Sequence, residues 1–216
     1  MKIIITGVTG MIGEGVLLEC LKNDKITEIL AVSRKSSGKT HPKLKEYVVS
    51  DFLSLPENDE NLAGYDACFF CAGVSSIGMS EPDFERNTYS TTIQFAKALN
   101  PSPKISFIYV SGSGKDSSEN GKLHWARVKG KTENELMAMP FKQAFGFRIG
   151  MVQPTKGQAH VLKYYKYLAW LVPVFKVLTP NIISTMKQVA NAMVYFAENG
   201  FERNVIYVKD INKLKS

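Results

Sequence analysis

Three glycines near the start of the chain have the spacing of a loop that binds phosphate groups. Gly7, Gly10 and Gly13 lie between a short apolar run, Ile3 to Ile5, and an amphipathic segment, 12–23. This order predicts a strand, a tight turn and a helix whose first backbone N–H groups face an anion. Gly7 permits the turn, Gly10 lets phosphate approach the backbone, and Gly13 lets helix and strand pack closely. The candidate dinucleotide-binding residues here are Gly7, Thr9, Gly10, Met11, Ile12 and Gly13.

The residues after the second predicted strand indicate which dinucleotide fits. That strand, 28–33, ends at Ser33 and is followed by Arg34 and Lys35. A site selective for NAD usually has Asp or Glu there, which binds the ribose hydroxyls. Arg34 is therefore a candidate partner for the 2′-phosphate of NADP, and NADP is favoured over NAD. The alternatives are a purely structural glycine turn and a solvated pair of surface cations.

The spacing Thr-Gly-x-x-Gly-x-x-Gly resembles the short-chain dehydrogenase/reductase superfamily, in its extended and atypical branches. The stretches 127–133 and 189–214 are most similar to the group that contains the HIV-Tat-interacting protein and NAD-dependent epimerase-like proteins. The resemblance implies further cofactor contacts along the chain. These are Asp51 and Phe52 at the adenine, Cys71, Ala72 and Gly73 beside the adenosine ribose, and Ile149 near the nicotinamide amide. It also implies a structural role for Asn87.

The same resemblance supplies candidate catalytic residues and one departure from the family pattern. Ser111 ends the fifth predicted strand, where the family has its catalytic serine. The family also carries Tyr-x-x-x-Lys on the next helix, where positions i and i+4 share one face. Lys129 occupies the lysine position, which contacts the nicotinamide ribose and is a further cofactor-binding candidate, but Trp125 stands at the tyrosine position. An indole N–H donates a hydrogen bond and does not titrate, so the usual proton transfer is in doubt. His124 is the nearest titratable substitute, about 100° away around the helix.

The predicted elements place these residues at one edge of a parallel sheet. Short apolar strands alternate with helices, which is the pattern of a sheet covered on both faces. We therefore expect an α/β, doubly wound (Rossmann) fold and one NAD(P)-binding domain over residues 1–216. The strands are predicted at 3–5, 28–33, 47–49, 67–72, 104–110, 144–149 and 205–208, and the helices at 12–23, 82–99, 123–137 and 186–198.

An aromatic segment after the sixth strand is expected to cover the substrate. Residues 151–185 form this predicted flap, and 161–178 are rich in Tyr, Leu, Val and Phe, with interspersed lysines. If the segment lines the cleft, its character implies a hydrophobic or aromatic small-molecule substrate. The alternatives are a homodimer contact and a helix lying on an anionic membrane surface. Pro173 argues against one long amphipathic helix.

Composition excludes several other classes of protein. The chain has 216 residues and a formal net charge of +7, but its basic residues are scattered, so no nucleic-acid partner is expected.

Only three cysteines are present, and Cys68 and Cys71 face opposite sides of a strand, which favours buried thiols over redox or metal chemistry. The three histidines lack metal-ligand spacing, so we expect no metal. The chain starts with a strand and not a secretory leader, so we expect a soluble, cytoplasmic protein.

Two functions are compatible with these residues. The first is an NADPH-dependent oxidoreductase or epimerase-like enzyme that acts on a small apolar carbonyl substrate, with Ser111 and Lys129 as positioning groups. The second is a catalytically silent NADP(H)-sensing regulator or protein-interaction module. Trp125 is the residue that keeps the second function open, because it cannot deliver a proton.

Overall fold

The first strand, β1, forms the centre of the sheet because its side chains are apolar on both faces. The computed structural model describes residues 1–112, 114, 117–161 and 182–214, and β1 spans Lys2–Thr6. Ile3, Ile4 and Ile5 are fully buried. β1 pairs in parallel with β2 (Glu28–Ser33) on one side and with β4 (Ala67–Phe70) on the other. A continuous apolar run of this kind is typical of a strand that is covered by helices on both faces.

The seven-stranded sheet is parallel throughout and has the order β3-β2-β1-β4-β5-β6-β9. The chain starts at the centre, builds outward in one direction, returns to the centre and builds outward in the other. This is the doubly wound topology, and it confirms the predicted fold class. A ligand crevice is expected where the order reverses, between the carboxyl ends of β1 and β4. The remaining strands of the sheet are β3 (Leu44–Val48), β5 (Ser106–Val110), β6 (Gln143–Arg148) and β9 (Val205–Tyr207).

Helices cover both faces of the sheet and create two separate cores. Alternate residues of β1 enter opposite cores, since Ile3 and Ile5 pack with one group of helices and Ile4 with the other. The first core contains α1 (Met11–Leu21) and α5 (Met186–Asn199). The second contains α3 (Thr91–Ala98) and α4 (His124–Ala138). Two short helices, α2 (Glu81–Glu85) and α6 (Val208–Lys213), complete the α-helices of the described residues, which also contain two 3₁₀ turns, Phe52–Ser54 and Glu60–Leu62.

Apart from shifts of one or two residues at element ends, the structure differs from the predicted elements as follows. The helix predicted at 82–99 is divided into α2 and α3 by a π-helical turn, Arg86–Ser90. The strand predicted at 47–49 is β3 and starts earlier, at Leu44. A two-stranded parallel sheet of β7 (Met151–Gln153) and β8 (Ile183–Thr185), together with α6, was not predicted. These elements are too short for hydrophobic periodicity to reveal them.

The predicted substrate flap is only partly described. Its first part forms β7 and the loop after it, and its last part forms β8. Residues 162–181, which contain most of the aromatic segment, lie outside the described residues. Among the helices that the structure does describe, none has both the length and the apolar character needed to cross a membrane.

Candidate functional site

The turn between β1 and α1 requires glycine at two positions for steric reasons. Gly7 has a φ of +70°, and a Cβ there would lie 2.7 Å from the backbone nitrogen of Ala72. A Cβ on Gly13 would lie 2.2 Å from the carbonyl oxygen of Gly7. The Gly10 N–H donates to the Gly7 carbonyl over 2.9 Å and closes the turn. Gly10 is also the N-cap of α1 and has no side chain to cap the helix. The first turn of α1 can therefore direct its N–H groups at a phosphate.

A buried threonine, which the sequence did not single out, joins the two central strands at this point. The Thr6 hydroxyl oxygen accepts hydrogen bonds from the backbone N–H groups of Cys71 and Ala72, over 3.1 and 3.0 Å. Thr6 is completely buried. The contact lies where the strand order reverses, so it fixes how far apart β1 and β4 stand at the crevice.

The crevice is a cleft of about 320 Å³. It brings together most of the predicted cofactor contacts, including residues that are more than 60 positions apart in the chain, such as Gly7 and Gly73. Met11, Ile12, Gly13, Lys129 and Ile149 do not line it. The lining residues are Gly7, Thr9, Gly10, Ser33, Arg34, Asp51, Phe52, Phe70, Cys71, Ala72, Gly73, Val74, Asn87 and Thr91.

The loop after β2 presents Arg34 at this cleft. Arg34 is exposed and lines the cleft, directly after the buried Ser33. The Ser33 hydroxyl donates to the Lys35 carbonyl over 2.6 Å, and this bond closes the turn. The Glu46 carboxylate accepts from the Ser36 hydroxyl and the Ser37 N–H, over 2.6 and 2.7 Å. The loop is therefore anchored by side-chain hydrogen bonds. The Glu46 carboxylate, which accepts two of them, is already bonded to Ser36 and Ser37.

The cysteines of the Cys-x-x-Cys pair lie on opposite faces, as expected. Cys68 belongs to the core that contains α3, and Cys71 packs against the core that contains α1. Burial raises the pKa of the Cys71 thiol to about 12, so it stays protonated near neutral pH. Within the described residues, His, Cys, Asp and Glu form no group that could hold a metal ion.

The three candidate catalytic residues lie at the end of β5 and on the first turns of α4. The Lys129 ammonium donates to the Ser111 carbonyl over 3.2 Å. Ser111 is buried, and its hydroxyl donates to the Phe147 carbonyl over 3.4 Å. Burial lowers the pKa of Lys129, and the Glu133 carboxylate opposes that shift. Trp125 lies one turn before Lys129, and a Cβ on Gly114 would lie 3.3 Å from its ring. Helix α4 thus brings Lys129 to the carboxyl end of the sheet.

His124 is turned away from this group. Its Nε2 lies 3.2 Å from the Glu81 carbonyl oxygen, and its Nδ1 lies 3.4 Å from the Glu81 carboxylate. Its ring also packs edge-on against Phe84. These contacts hold His124 against α2, whereas Lys129 points to β5, so the imidazole is badly placed for proton transfer beside Ser111.

A buried ion pair, also absent from the sequence analysis, supports α4. The Arg148 Nε lies 3.2 and 3.3 Å from the two carboxylate oxygens of Glu133, and Arg148 also donates to the Ser117 hydroxyl. Glu133 and Arg148 are 1% and 8% exposed. Gly146 leaves room for the pair, since a Cβ there would lie 2.6 Å from a Glu133 oxygen. Glu133 lies one turn beyond Lys129 on α4. The spacing of positions 125, 129 and 133, which places them on one face of the helix, is the sequence signal that could have pointed to Glu133.

Comparison with known proteins identifies the family. The NAD dependent epimerase/dehydratase family matches residues 3–122. The chain belongs to this family. The matched region contains the glycine turn, the Arg34 loop, Thr6 and Ser111, and this membership agrees with the resemblance drawn from the glycine spacing.

Curated relatives of this family member are fungal proteins. Protein fmp52-1, mitochondrial, from Aspergillus terreus is 24% identical over 171 residues, which are 75% of this chain and 71% of the relative. Protein FMP52, mitochondrial, from Debaryomyces hansenii is 27% identical over 166 residues, or 74% and 72%. Both names place the relatives in mitochondria. The cytoplasmic location that we expected from the sequence is therefore wrong by this comparison.

Solved structures with the same fold include enzymes that bind NAD. UDP-glucuronic acid 4-epimerase from Bacillus cereus, in complex with NAD, aligns with a TM-score of 0.63 at 14% identity, over 96% of this chain and 76% of that one. A thiolation-reductase di-domain from an archaeal non-ribosomal peptide synthetase gives a TM-score of 0.68 at 14% identity, over 96% and 70%. At these identities the likeness shows the fold alone.

Proposed function

We propose that this protein is an NADP(H)-dependent oxidoreductase that acts on a small apolar carbonyl compound. The contact between Lys129 and the Ser111 carbonyl carries this proposal, because it holds an ammonium at the carboxyl edge of the sheet beside β5. The glycine turn fits a dinucleotide, since Gly7, Thr9 and Gly10 line the cleft and Gly10, the N-cap of α1, places no side chain over the first N–H groups of the helix. When bound, the cofactor would supply or accept the hydride.

The choice of NADP over NAD rests on Arg34. Ser33 and Arg34 replace the acidic residue that would bind free ribose hydroxyls. A guanidinium at that position can bind a phosphate through two parallel hydrogen bonds. Arg34 lines the cleft, and the described residues give it no ion pair with a carboxylate. It is thus available for the 2′-phosphate of NADP.

The chain's own residues would position the reactants without donating a proton. Lys129 would bind the nicotinamide ribose, and the Ser111 hydroxyl would contact the substrate carbonyl after leaving the Phe147 carbonyl. Trp125 would hold the substrate by its indole N–H or its ring face. Because an indole does not titrate, water would supply the proton, and we expect turnover to be slow.

Apolar side chains near this edge support an apolar substrate. Leu123, just before α4, is 57% exposed, and Ile77, in the loop before α2, is 91% exposed. The contact of His124 with Glu81 holds these two segments side by side. The aromatic part of the predicted flap, which lies among residues 162–181, would add to this apolar surface if it covers the cleft.

The first experiment is a titration of the protein with NADPH and NADH, followed by intrinsic fluorescence. We expect NADPH to bind at least tenfold more tightly, since a phosphate–arginine contact contributes about 1.5–3 kcal/mol. Arg34→Ala should remove that preference and leave NADH affinity unchanged. Lys104→Ala removes the same charge at the amino end of β5 and is the matched control. Equal affinities for both cofactors in the unmodified protein would overturn the NADP assignment.

A catalytically silent NADP(H)-dependent regulator is the second candidate, and Trp125 is the observation that favours it. Such a protein would bind NADPH with the same dependence on Arg34 but would oxidise none of it with any carbonyl compound. Measured consumption of NADPH with a panel of apolar aldehydes, ketones and enones separates the two functions.

A further inference from the structure

A fully buried carboxylate lies on the first turns of α1, beside the glycine loop, and does not line the cleft. Glu14 is 0% exposed. A charged group without water must be satisfied by hydrogen bonds and opposite charges, so its partners show what it was placed to hold. Nothing in the proposed chemistry uses Glu14.

Four donors from two other parts of the chain converge on this carboxylate. The backbone N–H groups of Ala159 and His160 donate to it over 3.1 and 2.6 Å. The His160 Nδ1 lies 3.0 Å away, and the Lys39 ammonium lies 3.0 Å away. Burial alone would raise the pKa of Glu14, but these hydrogen bonds outweigh burial and lower the pKa to about 2. Glu14 is therefore ionised throughout the physiological range.

The two donor segments come from different parts of the chain. Lys39 lies in the loop after β2, which also carries Arg34. Ala159 and His160 end the loop after β7 and lie just before residues 162–181. The same loop makes further contacts with α1, because the Gln158 amide donates to the Met11 carbonyl and Thr155 bonds Glu19. The loop thus lies along α1, and Glu14 is its charged anchor.

We propose that Glu14 is a positioning residue that fastens the chain at Ala159 and His160 to the first turns of α1 and, through Lys39, links this attachment to the Arg34 loop. This inference rests on the proposed binding of NADP(H) in the cleft. A bound cofactor would restrain α1 and the Arg34 loop, two of the three segments that meet at Glu14. Through this junction, restraint of those two segments would be passed to the third, the loop after β7.

Hydrogen exchange at the amides of Ala159 and His160 measures the attachment directly. Mass spectrometry of a peptide that spans 155–161 would follow the unmodified protein, Glu14→Gln and Glu198→Gln. Glutamine has the shape of glutamate but opposes the two N–H donors with its own amide hydrogens. We expect exchange in this peptide to be about tenfold faster in Glu14→Gln, which corresponds to the loss of a charged hydrogen bond. Glu198→Gln makes the same charge change at a half-exposed site paired with Lys25 and should leave exchange unchanged.

The cofactor-dependent arm tests the link through Lys39. Saturating NADPH should slow exchange in the 155–161 peptide of the unmodified protein about threefold or more, and Lys39→Met should weaken that slowing while NADPH still binds, because the restraint that comes through the Arg34 loop is lost. If Glu14→Gln loses its fold, as faster exchange across β4 would show, Lys39→Met decides the proposal. Undiminished NADPH protection in Lys39→Met, or unchanged exchange in a folded Glu14→Gln, would overturn it.

If the proposed function is wrong, the exchange measurements give a different result from the one that overturns the role of Glu14. A protein that binds neither cofactor would show no NADPH protection in any variant, yet Glu14→Gln would still accelerate exchange at Ala159 and His160. In that case the attachment stands as a property of the chain, and only its link to the cofactor is lost.

Discussion

The half of the candidate site that we propose binds the cofactor (the cofactor half) and the half that we propose is catalytic (the catalytic half) are built in different ways. At the cofactor half, close backbone contacts fix the turn between β1 and α1, because a Cβ on Gly7 or Gly13 would overlap other backbone atoms. At the catalytic half, side chains hold the geometry, through the Lys129 contact with Ser111 and the buried pair of Glu133 with Arg148. A larger residue at either glycine would force the backbone of the turn to shift, whereas the catalytic half can change by the replacement of one side chain. The glycine turn fits the family pattern, and Trp125 departs from it.

Removing the charge of Glu133 should have the largest effect on this comparison. In Glu133→Gln, the Arg148 guanidinium would stay buried without a carboxylate, which costs about 3–5 kcal/mol of unfolding free energy. Urea denaturation would measure the change. The double variant Glu133→Gln with Arg148→Met removes both charges and should recover most of the loss. Equal stability of the single variant and the unmodified protein would mean that the pair does not support α4.

Restoring the family's tyrosine tests whether the catalytic half lacks only a proton donor. Trp125→Tyr places a phenol one turn from Lys129, whose ammonium favours its ionised form. A positioned general acid is worth about a hundredfold or more in rate, so NADPH-dependent reduction should rise by that factor. Trp125→Phe, which also removes the indole N–H but adds no hydroxyl, is the control. No turnover in either variant with any carbonyl compound would favour the silent regulator.

A methyl group at the glycine turn should damage the cofactor half with a smaller effect on stability. In Gly13→Ala the new Cβ would overlap the Gly7 carbonyl, and overpacking of this kind costs about 1–3 kcal/mol. The free energy of NADPH binding should fall by more than this loss of stability, because the turn itself must shift. Gly64→Ala is the control, since a Cβ there meets nothing within 4 Å and carries only the strain of a φ of +82°. A thermal unfolding curve and an NADPH titration of both variants would check this.

The sequence predicted the parallel, doubly wound sheet and the glycine turn because local patterns encode them. Buried apolar runs specify parallel strands, and a glycine turn is read from a few neighbouring residues. The same approach missed Glu14 and Glu133, because a glutamate on a helix is expected at the surface and nothing local shows its burial. Their partners, such as His160, are brought near only by the complete fold.

The prediction of helices and strands was wrong where a sequence pattern continues across a boundary or where an element is very short. The π-helical turn at Arg86–Ser90 does not interrupt the helical spacing of apolar residues over 82–99. The sequence therefore predicts one continuous helix. The paired residues of β7 and β8 are 32 positions apart in the chain, and three-residue strands have too few positions for alternation to be detected.

The hydrogen bonds of Thr6 have a consequence for how a ligand enters. The ladder between β1 and β4 ends at Ile5 and Phe69, and the next amides, of Cys71 and Ala72, would otherwise lack acceptors near the crevice. One hydroxyl satisfies both, so the strands separate without leaving those two donors unbonded. The separation of the two strands at the crevice is therefore stabilised by the chain's own hydrogen bonds. Association should then follow a single concentration-dependent phase, with no slow step in which the sheet must part.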